Sequence, residues 1–220
     1  NIPILKISGY GEFFVLKDTI KDLKSLSSSY ERIQVMTNGI ALNESLISCL
    51  SKIPGINICV SLDGHTPELN FCRTRSKELI HRILDNIEIL RKYDIPVEVN
   101  SVLTKYNISD FIDFLDYLSD RYDSLICYPF PVRGKDELSA LGPENAEKLI
   151  GLLDRGKNFS HILPHRAYAE RLISFISHKK RKDKCFVGYS NLGIDPAGNI
   201  LLCACNLNKS VGNIFAEDSL

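Results

Sequence analysis

The chain has 220 residues, 44% of them hydrophobic and 25% charged, the balance of a globular protein able to bury a sizeable core. Its 27 basic side chains match 27 acidic ones, so no global field draws it to nucleic acid or to an anionic membrane. No apolar run is long enough to span a bilayer and no signal peptide is visible, which makes a cytoplasmic protein the expectation.

Ile2 to Ile7 reads as a short buried strand, and it runs into Ser8-Gly9-Tyr10-Gly11-Glu12. Glycines just past a strand end let the backbone take positive φ and approach a ligand closely, and a carboxylate beside them suits an ammonium group. The same residues also suit a plain strand-to-helix turn with a surface glutamate. Asp18 is expected to cap a helix carrying Ile20, Leu23 and Leu26. A second strand, Ile33 to Met36, ends in Thr37-Asn38-Gly39, and Asn43 caps a helix with Leu46, Ile47 and Leu50 on one face. Ile56 to Leu62 is the third strand, stopped by Asp63-Gly64. Ser76 opens a helix with Leu79, Ile80, Ile83, Leu84, Ile87 and Leu90 at helical spacing. Val97 to Leu103 is the fourth strand. Ser109 caps a helix carrying Phe111, Ile112, Leu115 and Leu118, and Leu125 to Tyr128 is the fifth strand.

Strand and helix thus alternate at roughly 25- to 35-residue intervals, the rhythm of right-handed parallel βαβ units. The strands read as apolar on both faces. Polar, glycine-containing clusters recur just after them, where parallel α/β folds place their ligands. Beyond Gly134 the rhythm changes: Pro143 fits the first turn of a helix through Leu153, and another helix spans Arg166 to His178. Lys179 to Lys182 reads as a solvated helix end rather than a nucleic-acid patch. Leu192 to Leu202 reads as a β-hairpin turning at Asp195 to Gly198.

Seven cysteines are present. Cys49, Cys59, Cys72 and Cys127 lie in apolar segments and read as small core hydrophobes. Cys185, Cys203 and Cys205 cluster late, where metal ligation suits a cytosolic protein. A zinc site fits poorly, because no histidine lies at zinc-finger spacing.

In order and spacing, these loop signatures resemble the radical S-adenosylmethionine (SAM) superfamily, and more narrowly its members with a C-terminal SPASM or twitch auxiliary-cluster region. Gly9-Tyr10-Gly11-Glu12 is similar to the family's glycine-glycine-glutamate motif, with Phe13 where a proline is usual. Thr37-Asn38-Gly39, Ser61-Leu62-Asp63-Gly64, Arg73 through Asn86, and Asn100 to Asn107 resemble the segments that follow. Cys185, Gly198 and Cys203, separated by twelve and four residues, fit the signature C-x(9–15)-G-x4-C, and Val211 to Ile214 fits its continuation.

The resemblance implies a partial (β/α)6 TIM-like barrel lacking its first βα unit over residues 1–135. A helical connection over 136–184 and the start of an auxiliary-cluster region over 185–220, with a small β-hairpin, would follow it. It implies SAM as cofactor, with Gly9, Gly11, Glu12, Asn38, Ser61, Asp63, Arg73 and Asn100 as its contacts. Cys185, Cys203 and Cys205 would ligate an auxiliary iron–sulfur cluster. The 4Fe–4S cluster of such enzymes rests on a C-x3-C-x2-C motif that these 220 residues do not contain, so its ligands are expected outside this chain. The implied activity is reductive cleavage of SAM to a 5′-deoxyadenosyl radical that takes hydrogen from a peptide, protein or small metabolite. Flavodoxin or ferredoxin would serve as reductant, and the fragment alone is expected to be inactive. Arg133 is a candidate contact for a substrate carboxylate, and His65 reads as an exposed loop histidine. Two rivals stand beside this: a degenerate barrel that binds a peptide or nucleotide without cluster chemistry, and a metal-free barrel enzyme using Lys105.

Overall fold

The computed structural model describes residues 3–9, 11–132, 141–150, 161–178, 184, 187–203 and 210–216. The chain divides into two compact units, Asn1–Lys179 and Lys180–Leu220.

The first unit is built on five parallel strands in sequential order: β1 (Ile4–Ile7), β2 (Arg32–Thr37), β3 (Ile56–Ser61), β4 (Val97–Leu103) and β5 (Ile126–Pro131). Helices α1 (Thr19–Leu26), α2 (Glu44–Leu50), α3 (Lys77–Lys92) and α4 (Phe111–Arg121) connect them. These are the parallel βαβ units expected from the alternation, in the partial barrel that the resemblance implies. The helices cover one face of the sheet, where Ile33, Val35, Ile58, Val60, Val97 and Val99 join them in a single apolar core. In α3, Ile80, Ile83, Leu84, Ile87 and Leu90 point into that core, each side chain contributing about 1.5–3 kcal/mol of transfer free energy.

The opposite face of the sheet differs from the expectation of strands apolar on both sides. It carries Lys6, Arg32, Gln34, Asn57, Glu98 and Asn100 on alternate strand positions. The strand period of two sends Ile33 and Val35 to the helices and their neighbours Arg32 and Gln34 to the interior.

Caps agree with the sequence at two helices and not at two others. Asn43 Oδ1 accepts from Leu46 N at 3.0 Å, and Ser76 Oγ from Leu79 N at 3.3 Å. Asp18 instead takes a left-handed conformation, φ 61°, and makes no cap bond. At α4 the capping position falls on Asp110, while Ser109 Oγ accepts from Lys148 Nζ. Helix α5 spans Pro143–Lys148, where the sequence suggested a longer helix through Leu153; residues 151–160 lie outside those described. Helix α6 spans Arg166–His178, as expected. Of the four cysteines assigned to the core, Cys59 and Cys127 are fully buried, Cys49 is half-buried and Cys72 is exposed in the loop after Phe71. No described helix is long and apolar enough to cross a membrane.

One polar residue of α3 faces inward. Asn86 is buried, and its amide donates to the carbonyls of Gly39 (2.8 Å) and Leu42 (3.0 Å), tying α3 to the β2–α2 loop. Replacing Asn86 by alanine strands both carbonyls and is expected to lower stability by about 2 kcal/mol in urea denaturation. A change below roughly 0.5 kcal/mol, ordinary for a surface substitution, would show that the loop holds without this strut.

In the second unit, a short helix α7 (Val187–Ser190) precedes a three-stranded antiparallel sheet of β6 (Gly193–Ile194), β7 (Asn199–Leu201) and β8 (Ser210–Asn213). The expected hairpin turn is there. Asp195 Oδ1 accepts from Ala197 N and Asn199 N, both at 2.9 Å, the Asx pattern that nucleates such turns. The Lys179 to Lys182 run lies outside the described residues.

Candidate functional site

The loops at the carboxyl ends of β1, β2 and β3 hold most of the expected residues, and Ser61 and Asn100 lie within β3 and β4. Gly9 and Gly11 have φ of +83° and +123°, and a Cβ added to either would meet no atom within 4 Å. Such backbone is costly for any other residue, and open space stands beside it. Glu12 follows and caps a 3-10 turn, Phe13–Val15, accepting from Phe14 N at 3.2 Å.

The same carboxylate reaches across to the end of β2. Thr37 Oγ1 donates to Oε1 at 2.7 Å and Asn38 N donates to Oε2 at 2.7 Å. Glu12 therefore stitches the first strand exit to the second with short, charge-assisted bonds. Asn38 contributes by its backbone, while its side chain accepts from Ile40 N at 2.8 Å. Thr37, buried beneath this junction, was not among the expected site residues. Its signal was its place in the Thr37-Asn38-Gly39 stretch, of which Asn38 alone was expected to touch SAM.

Asp63 and Arg73 meet each other. Arg73 Nε lies 2.8 Å from Asp63 Oδ2, while Asp63 Oδ1 accepts from Val102 N on β4 at 2.7 Å. Both aspartate oxygens are thus engaged within the fold. Burial pushes the Asp63 carboxyl above its ordinary pKa, with the Arg73 charge and the Val102 N–H pulling the other way. Two buried asparagines brace this corner. Asn70 accepts from Asp63 N and donates to Thr66 O and Gly64 O. Asn107 donates to Val102 O at 2.8 Å and accepts from Thr104 N at 2.8 Å.

Ser61 and Asn100 are register partners on β3 and β4, at the interior mouth. Asn100 is buried, beside the interior Cys59 of β3. Burial and the nearby Glu98 push that thiol up to about 12, so Cys59 stays protonated. His65 is half-buried rather than an exposed loop histidine. Its ring stacks on Tyr117 of α4 at 4.3 Å, and burial lowers its pKa. Cys203 follows β7 in the second unit; Cys185, Cys205 and Arg133 lie outside the described residues.

Parallel strands in sequential order, with polar glycine-bearing loops at one mouth, define an α/β barrel, a class whose sites sit at that end of the strands. Residues 6–118 match the model of the Radical SAM superfamily, and the chain belongs to that superfamily. It is similar to the AdoMet-dependent heme synthase of Methanosarcina barkeri, 25% identical over 67% of this chain and 43% of that protein. It is also similar to the mycofactocin maturase MftC of Mycobacterium ulcerans, 24% identical over 95% of this chain and 58% of that one. Among solved structures, Streptococcus suis SuiB bound to S-adenosylmethionine superposes with a TM-score of 0.71 at 16% identity, covering 98% of this chain and 53% of SuiB. SuiB bound to its precursor peptide SuiA gives 0.69 at 17% identity, covering 98% and 52%. The chain spans about half the length of these relatives.

The strand-exit residues fit the amino end of SAM: a fixed carboxylate beside two glycines with open space at their Cα atoms. They do not form a cage for the 4Fe–4S cluster. The chain lacks the C-x3-C-x2-C motif, and among the described residues no group of three or more His, Cys, Asp or Glu is placed to hold a metal.

Proposed function

We propose that this chain forms the SAM-binding barrel of a radical SAM enzyme that modifies a peptide, a protein or a small metabolite. The observation that carries this reading is the position of Glu12. A carboxylate offers about four acceptor positions. Phe14 N, Thr37 Oγ1 and Asn38 N take three of them, leaving one beside the open glycine loop for the ammonium of SAM. Gly9 and Gly11 admit close backbone approach, and Ser61 and Asn100 offer a hydroxyl and an amide to the ribose or methionine end. Asp63 acts by bracing the β3 exit, and Arg73, one-third exposed, keeps nitrogens free of Asp63 for the SAM carboxylate. When bound and reduced by one electron, SAM supplies a 5′-deoxyadenosyl radical that takes hydrogen from the substrate; the barrel's share is to fix its orientation and keep water away.

Cys203, with Cys185 and Cys205, is proposed to ligate an auxiliary iron–sulfur cluster, and a flavodoxin or ferredoxin to deliver the electron. The names of MftC, a maturase, and of SuiB with its precursor peptide support a peptide substrate. That of the heme synthase supports the small-molecule arm. The test is anaerobic reconstitution, with iron and sulfide, of the protein expressed from the complete reading frame that encodes this chain. It is expected to release 5′-deoxyadenosine from SAM under a strong reductant. No nucleoside from an iron-loaded sample would overturn the proposal and favour a binding-only barrel.

A further inference from the structure

The interior face of the sheet holds a cavity of about 260 Å³, lined by Ile4, Lys6, Arg32, Gln34, Glu98, Asn100, Tyr128 and Phe130. Its chemistry is asymmetric. On the β4 side, Glu98 is held by two amides: Gln34 Nε2 donates to Oε2 at 2.7 Å and Asn57 Nδ2 to Oε1 at 3.4 Å. On the β1 and β2 side stand two cations, Lys6 and Arg32. Among the described residues neither forms an ion pair. The one carboxylate of the cavity, Glu98, is engaged by Gln34 and Asn57 rather than by either cation. The third wall is aromatic, with Tyr128 and Phe130 at 6.3 Å between centroids and 21° between planes. Two cations against one engaged carboxylate leave the cavity with an excess of positive charge beside a flat apolar surface.

A strand face turned into a barrel is ordinarily filled by apolar side chains unless it lines a ligand. Lys6 and Arg32 are solvent-exposed on this face and lie outside the apolar core packed on the helix side, so their charges are available to a ligand. The cavity adjoins the SAM-facing residues, because Asn100 lines it at its mouth end. Glu98 is two positions before Asn100 on β4, a separation of about 7 Å along the strand.

We infer that this cavity is a substrate subsite that takes a carboxylate attached to an apolar or aromatic body, with the carboxylate on Lys6 and Arg32 and the body against Tyr128 and Phe130. The inference rests on the reading of the mouth as the SAM site, because only a group held in the adjoining layer lies within reach of chemistry there. Glu98, fixed by Gln34 and Asn57, faces the ligand's N–H or O–H and rejects a second carboxylate by charge. The carboxylate has two sources of the same chemistry, the C-terminus of a peptide or the acid side arm of a small molecule.

The two are separated by titrating the 15N-labelled protein, expressed from the complete reading frame and reconstituted with iron and sulfide, with N-acetyl-glycyl-tyrosine, its C-terminal amide, and 3-phenylpropionate, following amide shifts. Saturable shifts at Lys6, Gln34, Glu98 and Tyr128 are expected with the acids, and binding of the amide at least tenfold weaker. Tighter binding of the peptide acid than of 3-phenylpropionate assigns a peptide C-terminus; the reverse order assigns a small acid. The double substitution Lys6→Gln, Arg32→Gln is expected to weaken acid binding at least tenfold. SAM affinity, measured on the same sample by calorimetry, should change less than twofold. Equal affinity for acid and amide, no saturable shift, or indifference to the double substitution would each overturn the inference. Absence of SAM binding with carboxylate binding intact would instead overturn the SAM reading of the mouth, and with it the assignment of the cavity to a substrate.

Discussion

Glu12→Gln is expected to weaken the proposed SAM binding by about ten- to a hundredfold, the loss of one charge-assisted hydrogen bond of roughly 1.5–3 kcal/mol. The substitution keeps the shape of the side chain but puts an NH2 where the carboxylate has only acceptors. One of its three internal donors, Phe14 N, Thr37 Oγ1 or Asn38 N, would then face another donor. Thr37→Val is the matched control: it removes one bond to Glu12 and leaves the charge in place, so its effect on SAM affinity is expected to be several-fold smaller. Calorimetric titration of both variants separates the two contributions, and thermal unfolding of each shows whether the loop itself survives. If Glu12→Gln bound SAM as tightly as the parent, the carboxylate would be only a loop cap.

Arg73→Met is expected to cost about 3 kcal/mol of stability near neutral pH, the lower end of what removing one partner of a buried pair costs. The lower end applies because Arg73 is 31% exposed, whereas Asp63 is 3% exposed and has nowhere to turn. Burial already holds the Asp63 carboxyl above its ordinary pKa of 3.8, and removing the guanidinium raises it further. A folded pKa above the unfolded one means that the folded state binds the proton more tightly. Stability therefore falls as pH rises from 3.8 through the folded pKa, and the full penalty applies above it. The gap between variant and parent should accordingly narrow as pH is lowered and Asp63 takes up its proton. Urea denaturation at pH 5 and pH 8 measures it; an equal difference at both values would show that lost packing, not the stranded charge, sets the cost.

What the sequence revealed follows from how local each signal is. Val97–Leu103 and Arg166–His178 have the expected bounds, because apolar periodicity over seven and thirteen residues is written in the segment itself. The positive φ of Gly9 and Gly11 was legible for the same reason. The pairing of Asp63 with Arg73 was not, since a loop ten residues long can bring its ends together in many ways. Thr37 was missed because its role depends on where Glu12 lands from another strand. The polar interior face was missed for a different reason. Arg32, Gln34, Glu98 and Asn100 do alternate with apolar residues, but the apolar members dominate each run and suggest two buried faces. Strand β8 was too short and too exposed to stand out.

The alternation along β2 and β4 divides the work of adjacent residues. Ile33, Val35, Val97 and Val99 hold the barrel together, while Arg32, Gln34, Glu98 and Asn100 face whatever enters it. A one-position step along either strand moves from a site where change is felt as unfolding to one where it is felt as altered selectivity. The scaffold can accordingly be re-specialised for a new guest by editing every second residue, with its foundations left alone.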